Sequence, residues 1–148
     1  MTLGFYYHIT VTVVDGRVNL PSYLGLFLDS IAPGVEHLIL FMHEAEGADL
    51  AACNYALQAD NIRLVNLGLK KPAWHRVLFG KSLLRKFTAE VHQCDVLLVR
   101  APTPLSAAFY SLFGKNIPLI YMLVGDYVAG TPHLQLPFIR KTAIYAMS

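Results

Sequence analysis

The chain has 148 residues, enough for one domain that buries a core without disulfides or a metal. A net charge of +2 with 15% charged residues is too small to imply nucleic acid, and 55% hydrophobic residues is high for a free-standing domain. The best membrane candidate, 117–128, is cut by Gly125-Asp126, and no basic n-region with a small-residue cleavage site leads the chain, so the cytoplasm is the expected compartment.

Residues 5–14 form the first apolar run and read as a buried strand. The run stops at Asp15-Gly16-Arg17. A helix is expected over 20–31, with Pro21 in its first turn, Leu24, Leu28 and Ile31 on one face, and Pro33-Gly34 as its stop. A second strand follows at 35–43, a second helix at 48–57 and a third strand at 62–67. Ser82 reads as the cap of a third helix in which Leu84, Phe87 and Val91 face inward, ahead of a fourth strand at 96–99. Thr103 reads as the cap of a fourth helix with Pro104 in its first position, and the fifth strand spans 117–124. Beyond Gly130 a further helical segment is expected at 138–147. Apolar strands that alternate with helices call for a parallel sheet covered on both sides. The expected fold is therefore α/β: a single Rossmann-like, doubly wound domain over 1–148, with strand order 3-2-1-4-5 and helices on both faces. The crevice at the carboxyl ends of strands 1 and 4 is then the expected ligand site.

The turn after the first strand is not a dinucleotide fingerprint, which needs three glycines in G-x-G-x-x-G where only Gly16 stands. Gly80-Lys81-Ser82 ends like a Walker loop, but His75 occupies the place of its first glycine and no strand runs directly into it. A plain turn at Gly16 stays open beside a ligand loop. In the expected topology three loops meet at one sheet edge: Asp15, Gly16 and Arg17 after strand 1, Arg100 to Thr103 after strand 4, and Gly125, Asp126 and Tyr127 after strand 5. A guanidinium just beyond a buried run needs a partner to offset its desolvation. For Arg100 that partner is an anionic or hydroxyl-rich ligand, or an internal carboxylate from Asp15 or Asp126. His8 and His43 lie in or beside apolar strands and read as satisfied core or edge histidines. His37, His75, His92 and His133 have no metal spacing. Cys53 and Cys94 form no CxxC and read as thiols in a reducing compartment; no nucleophile elbow supports a hydrolase.

At these residues a family suggests itself. The stretches D-V-L-L-V-R-A-P at 95–102 and G-K-N-I-P-L-I-Y-M-L-V-G-D at 114–126 resemble the N-terminal half of GT-B glycosyltransferases, in particular the large retaining group called family 4. The turn and helix start in V-D-G-R-V-N-L-P-S-Y-L fit the same place, and the resemblance runs over roughly the whole chain. It implies the acceptor-binding domain of an enzyme that moves a sugar from a nucleotide-sugar donor, the donor being held by a C-terminal domain that this chain does not supply. Glu36 and Glu44 match the family's E-x7-E spacing only by coincidence, since they flank a strand and stand on the order of 26 Å apart. The resemblance implies substrate-binding roles for Asp15, Gly16, Arg17, Arg100, Thr103 and Tyr127, and sets Asp126 where related enzymes commonly place a histidine beside the reacting sugar. It implies no cofactor held by this chain, and a sugar or lipid-linked acceptor as partner.

Residues 70–87 hold six Lys/Arg and no acid, interleaved with Trp74, Phe79 and Phe87. On one helix these charges scatter around the wheel, Gly80 interrupts it, and a solvated face plus a loop is the leading reading; peripheral contact with an anionic membrane is the other. The alternative to the transferase reading is a stand-alone Rossmann-like or flavodoxin-like module that binds a small anion or a protein partner.

Overall fold

The structure, a computed structural model, describes residues 1–123. The segment 138–147, Asp126 and Tyr127 lie outside the described residues.

The described residues fold as α/β around a seven-stranded mixed sheet. In order along the chain it forms β1 (Thr2–Val14), β2 (Arg17–Leu20), α1 (Ser22–Ile31), β3 (His37–Glu44), β4 (Tyr55–Ala56), β5 (Ile62–Leu69), α2 (Ala73–Arg85), α3 (Thr88–Val91), β6 (Val96–Ala101), α4 (Ser106–Phe113) and β7 (Leu119–Leu123). Five strands are parallel: β1 lies between β3 and β6, β5 pairs with β3, and β7 pairs with β6. The full sheet differs from the expected 3-2-1-4-5 because β2 runs antiparallel to the far end of β1, and β4 antiparallel to β2, which makes the sheet mixed.

The reason lies in Asp15-Gly16. Val14 pairs with Arg17, and the two residues between them both have positive φ, 51° and 77°. That is a type I′ hairpin, whose twist suits the strands it joins and which Asp-Gly adopts at low cost. The expectation of a loop leading straight into a helix is thus corrected: β2 intervenes, and α1 starts only after Pro21.

Three helix expectations also change. Residues 48–57 form no α-helix; a 3₁₀ turn over Gly47–Ala52 leads to β4, because Tyr55 and Ala56 gain backbone partners in Leu20 and Asn19. Ser82 is not a cap. α2 starts after Pro72, whose fixed φ and missing N–H suit a helix entrance, and it runs unbroken through Gly80. Gly80 is where α2 rests on α4: a Cβ there would stand 2.6 Å from Leu105 Cδ2 and 3.3 Å from the Ala108 Cβ. Thr103 does not cap α4 directly. Its hydroxyl lies 3.0 Å from Ser106 Oγ, within a turn that precedes the helix.

Side-chain alternation along β1 sorts the core. Leu3, Phe5 and Val11 face α1 with Leu24 and Leu28, and Leu38, Leu40 and Met42 of β3 join them. Tyr6 faces the other way, toward Leu84 of α2 and Phe109 and Phe113 of α4, with Ile39, Phe41, Leu97 and Val99. Helices therefore cover both faces, and both leave the same sheet edge open. Among the described residues no helix is long and apolar enough to cross a membrane.

Candidate functional site

The open edge is the carboxyl end of the parallel strands. β1 leaves its ladder with β3 after Tyr6 and rejoins it at Thr10, opposite His43, so four residues of β1 span two of β3. Tyr6 precedes this irregularity, His8 lies within it, and His43 closes it opposite Thr10. Bulges of this kind re-aim side chains and often lie beside active sites.

Arg76 comes to this edge from the first turn of α2. It is only 7% exposed, and its Nε and Nη1 are buried without a hydrogen-bond partner. Among the described residues the sole ion pair joins the N-terminus to Glu36, so Arg76 has no carboxylate partner there. Three acids, Glu44, Glu46 and Asp49, share with Arg76, Lys70 and Lys71 a groove of about 430 Å³, but all three are solvated. Glu44 accepts a hydrogen bond from Asn66, and Asp49 accepts one from Thr10.

The Tyr6 hydroxyl is buried beside Arg76 and Thr103 without a partner in good geometry, and burial pushes its pKa up to about 12. His8 has a buried, unpartnered Nδ1. Its pKa is pushed down to about 4, first by burial and then by the charges of Lys70, Arg76 and Arg100. His43 is 1% exposed, with Nδ1 3.2 Å from the Gly68 carbonyl. Burial pushes it down to about 4 as well, against the opposing effect of that hydrogen bond, and Arg76 and Lys70 add to the lowering. His43 is buried and His8 half-buried, and neither is the satisfied histidine expected, since each keeps one buried nitrogen without a partner.

Arg100 reaches the edge from the α1 side. Its guanidinium lies 4.5 Å from the centre of the Tyr7 ring and 6.0 Å from that of Tyr23, and its Nε is buried without a partner. Stacking on aromatic faces offsets part of the desolvation of a guanidinium while leaving its in-plane donors free. Of the two alternatives for Arg100, the internal salt bridge to Asp15 is not formed, and Asp126 lies outside the described residues. Thr103 stays at the edge beside Tyr6. Asp15, Gly16 and Arg17 do not: they form the exposed tip of the β1–β2 hairpin. Asp15 follows Tyr7 by eight residues, on the order of 26 Å of extended strand.

The edge thus assembles donors from Arg76, Arg100 and Tyr6 and unpartnered nitrogens from His8 and His43. Of the residues singled out in the sequence, Arg100 and Thr103 lie at this edge, and Arg76, Tyr6, His8 and His43 join them there without having been singled out as a site. The signal for Arg76 was its spacing, since Arg76, Gly80 and Leu84 recur every four residues on one face of α2. Among the described residues no group of three or more acid, His or Cys side chains could hold a metal ion. A second groove at the amino edge, lined by Thr2, His37, Asp60 and Arg63 among others, contains none of these unpartnered atoms.

The two imidazoles make stability depend on pH. A histidine whose folded pKa lies below the unfolded 6.5 stabilises the fold while neutral, so its contribution is complete above about pH 6.5 and is lost as the pH falls toward 4. The urea midpoint is therefore expected to fall between pH 6.5 and 4.5, and the slope to flatten in a His8→Gln/His43→Gln double variant. An unchanged slope in that variant would assign the acid sensitivity to other groups.

Compared with protein-family models, with characterised proteins and with solved structures, the chain finds no match.

Proposed function

We propose that this chain is a Rossmann-like, doubly wound domain that binds a small phosphate-bearing ligand at the carboxyl edge of its parallel strands. The observation that carries the reading is Arg76, a buried cation with two orphaned donors and no ion pair among the described residues. Leaving such a group unpaired costs about 1–3 kcal/mol or more, and an arriving anion removes that cost. Arg100, steered by Tyr7, offers a second fork from the opposite face. In open α/β sheets this is also the edge where ligands bind.

The test is thermal unfolding in inorganic phosphate and pyrophosphate, with chloride at matched ionic strength as control. A ligand at a hundred times its Kd adds about 2.7 kcal/mol, a rise of several degrees in a domain of this size. Arg76→Gln is expected to remove most of that rise. If neither anion shifts the wild-type protein, the reading falls.

A second reading is favoured by Arg100, the arginine of the D-V-L-L-V-R-A-P stretch. In it the ligand is the sugar or lipid-linked acceptor of a GT-B glycosyltransferase, and a C-terminal domain holds the nucleotide-sugar donor. The outward side of α2 would suit a lipid-linked acceptor at an anionic membrane, since Trp74, Val77 and Leu78 are exposed there and Lys70, Lys71 and Lys81 lie beside them. Sugar transfer by the full-length gene product is expected to drop at least tenfold in Arg100→Ala and in Asp126→Asn, about the loss of one charge-assisted hydrogen bond. Unchanged transfer in both would remove them from the reaction.

A further inference from the structure

Resting on the anion site just proposed, we infer that its ligand is a hydroxylated phosphate ester, a phosphorylated sugar or polyol, with Nε2 of His43 accepting a hydrogen bond from a ligand hydroxyl. The tautomer follows from geometry. Nδ1 of His43 lies 3.2 Å from the Gly68 carbonyl, a contact that is favourable only if Nδ1 carries the proton and donates it. Nε2 is then a bare lone pair, and it is buried without a partner in a side chain that is 1% exposed. Nδ1 of His8 is a second buried nitrogen without a partner.

Arginine can only donate, so Arg76 and Arg100 ask for acceptor oxygens. The bare nitrogen of His43 asks for a donor, which the dianion of a simple phosphate ester lacks. Among donors an ammonium group or a metal cation at Nε2 would face the positive charges of Arg76 and Lys70, which add to the effect of burial on His43, while the carboxylates of the neighbouring groove, Glu44, Glu46 and Asp49, are solvated. A hydroxyl is uncharged and donates, and a hydroxyl borne on a phosphate ester answers both halves of the site at once.

The probes are sn-glycerol 3-phosphate and n-propyl phosphate, which share a phosphate ester and differ by two hydroxyls. Titration calorimetry on the full chain is expected to show glycerol phosphate binding about tenfold more tightly, because a site built to accept a hydroxyl proton rejects the analogue without one. In His43→Asn the amide can still donate to the Gly68 carbonyl but nothing stands in the place of Nε2, and the ratio is expected to fall to about one. Equal affinities in the wild-type protein overturn the inference and leave the anion site standing, and if the variant fails to fold, this comparison decides alone. A ratio that survives His43→Asn also overturns it. Binding of neither ester overturns the anion site and the inference together. A lipid headgroup offers the same chemistry, so flotation with phosphatidylglycerol and phosphatidic acid vesicles forms a further arm. Capture on phosphatidylglycerol above phosphatidic acid, lost in His43→Asn, supports the inference with a lipid source; a preference for free glycerol phosphate without capture supports it with a soluble one.

Discussion

Replacing Arg76 by methionine is expected to make the ligand-free protein more stable, by about 1–3 kcal/mol, while abolishing its response to phosphate. The two effects share one cause. Arg76 is held at 7% exposure at the sheet edge beside Tyr6 with two buried donors unpaired, and methionine fills similar space without a polar head. Residues at structural positions behave differently, since removing a buried cation from an ion pair strands its partner and costs stability. Urea denaturation without phosphate gives the first quantity, and the phosphate-induced rise in melting temperature gives the second. A variant clearly less stable than the wild type would mean that Arg76 supports the fold through contacts of its stem, and would weaken the case for a ligand.

Phe109→Ala is expected to cost about 3–5 kcal/mol, among the largest losses for a single truncation in the described residues. Phe109 is fully buried at the centre of the α2/α4 side of the core. Its ring lies 4.9 Å from that of Tyr6, 6.4 Å from that of Phe41 and 6.2 Å from that of Phe113, so it ties α4 to both β1 and β3. Against a total stability of roughly 5–15 kcal/mol, the loss is about a fifth or more. Tyr6 carries the effect to the site, because the phenol whose ring Phe109 supports ends beside Arg76 and Thr103. Phosphate should therefore bind more weakly to the variant than to the wild type at a temperature where both are folded. A cost below 1 kcal/mol in urea denaturation would contradict this account of the packing.

The parallel strands were legible because their periodicity is strong. The runs at 35–43, 62–67 and 96–99 each fall within one or two residues of β3, β5 and β6, and Leu24 and Leu28 face the core as their spacing requires. What escaped was decided by partners distant in sequence. Residues 48–57 have no fixed preference of their own, and their short strand exists because β2 offers it an edge. β2 was itself announced by Asp-Gly between apolar neighbours, a hairpin signal that the proline beginning the next helix outweighed. The site was half visible. Arg100 stands at the end of an apolar strand, where a charge attracts notice. Arg76 sits among five other basic residues in a stretch that reads as solvated, and only the packing of Gly80 against α4 turns its face of the helix inward. His8 and His43 look like any histidine in a strand until each nitrogen's partner is counted.

The irregularity in β1 adds two residues opposite β3, not one, and the number matters. Successive side chains point to opposite sides of a sheet, so an odd insertion would exchange inside for outside along everything that follows. An even insertion keeps parity: Val11 still reaches the α1 core, as Leu3 and Phe5 do. The strand thereby gains about 6.6 Å of contour over its neighbour at no expense to the core. Excising one residue from 7–9 would present Val11 to the wrong side and cost a core contact, whereas excising two would restore an even ladder and draw the whole hairpin inward. The surplus length at the rim is in this sense separable from the fold beneath it, a spacer whose extent can change in steps of two while the layers of the domain stay in place.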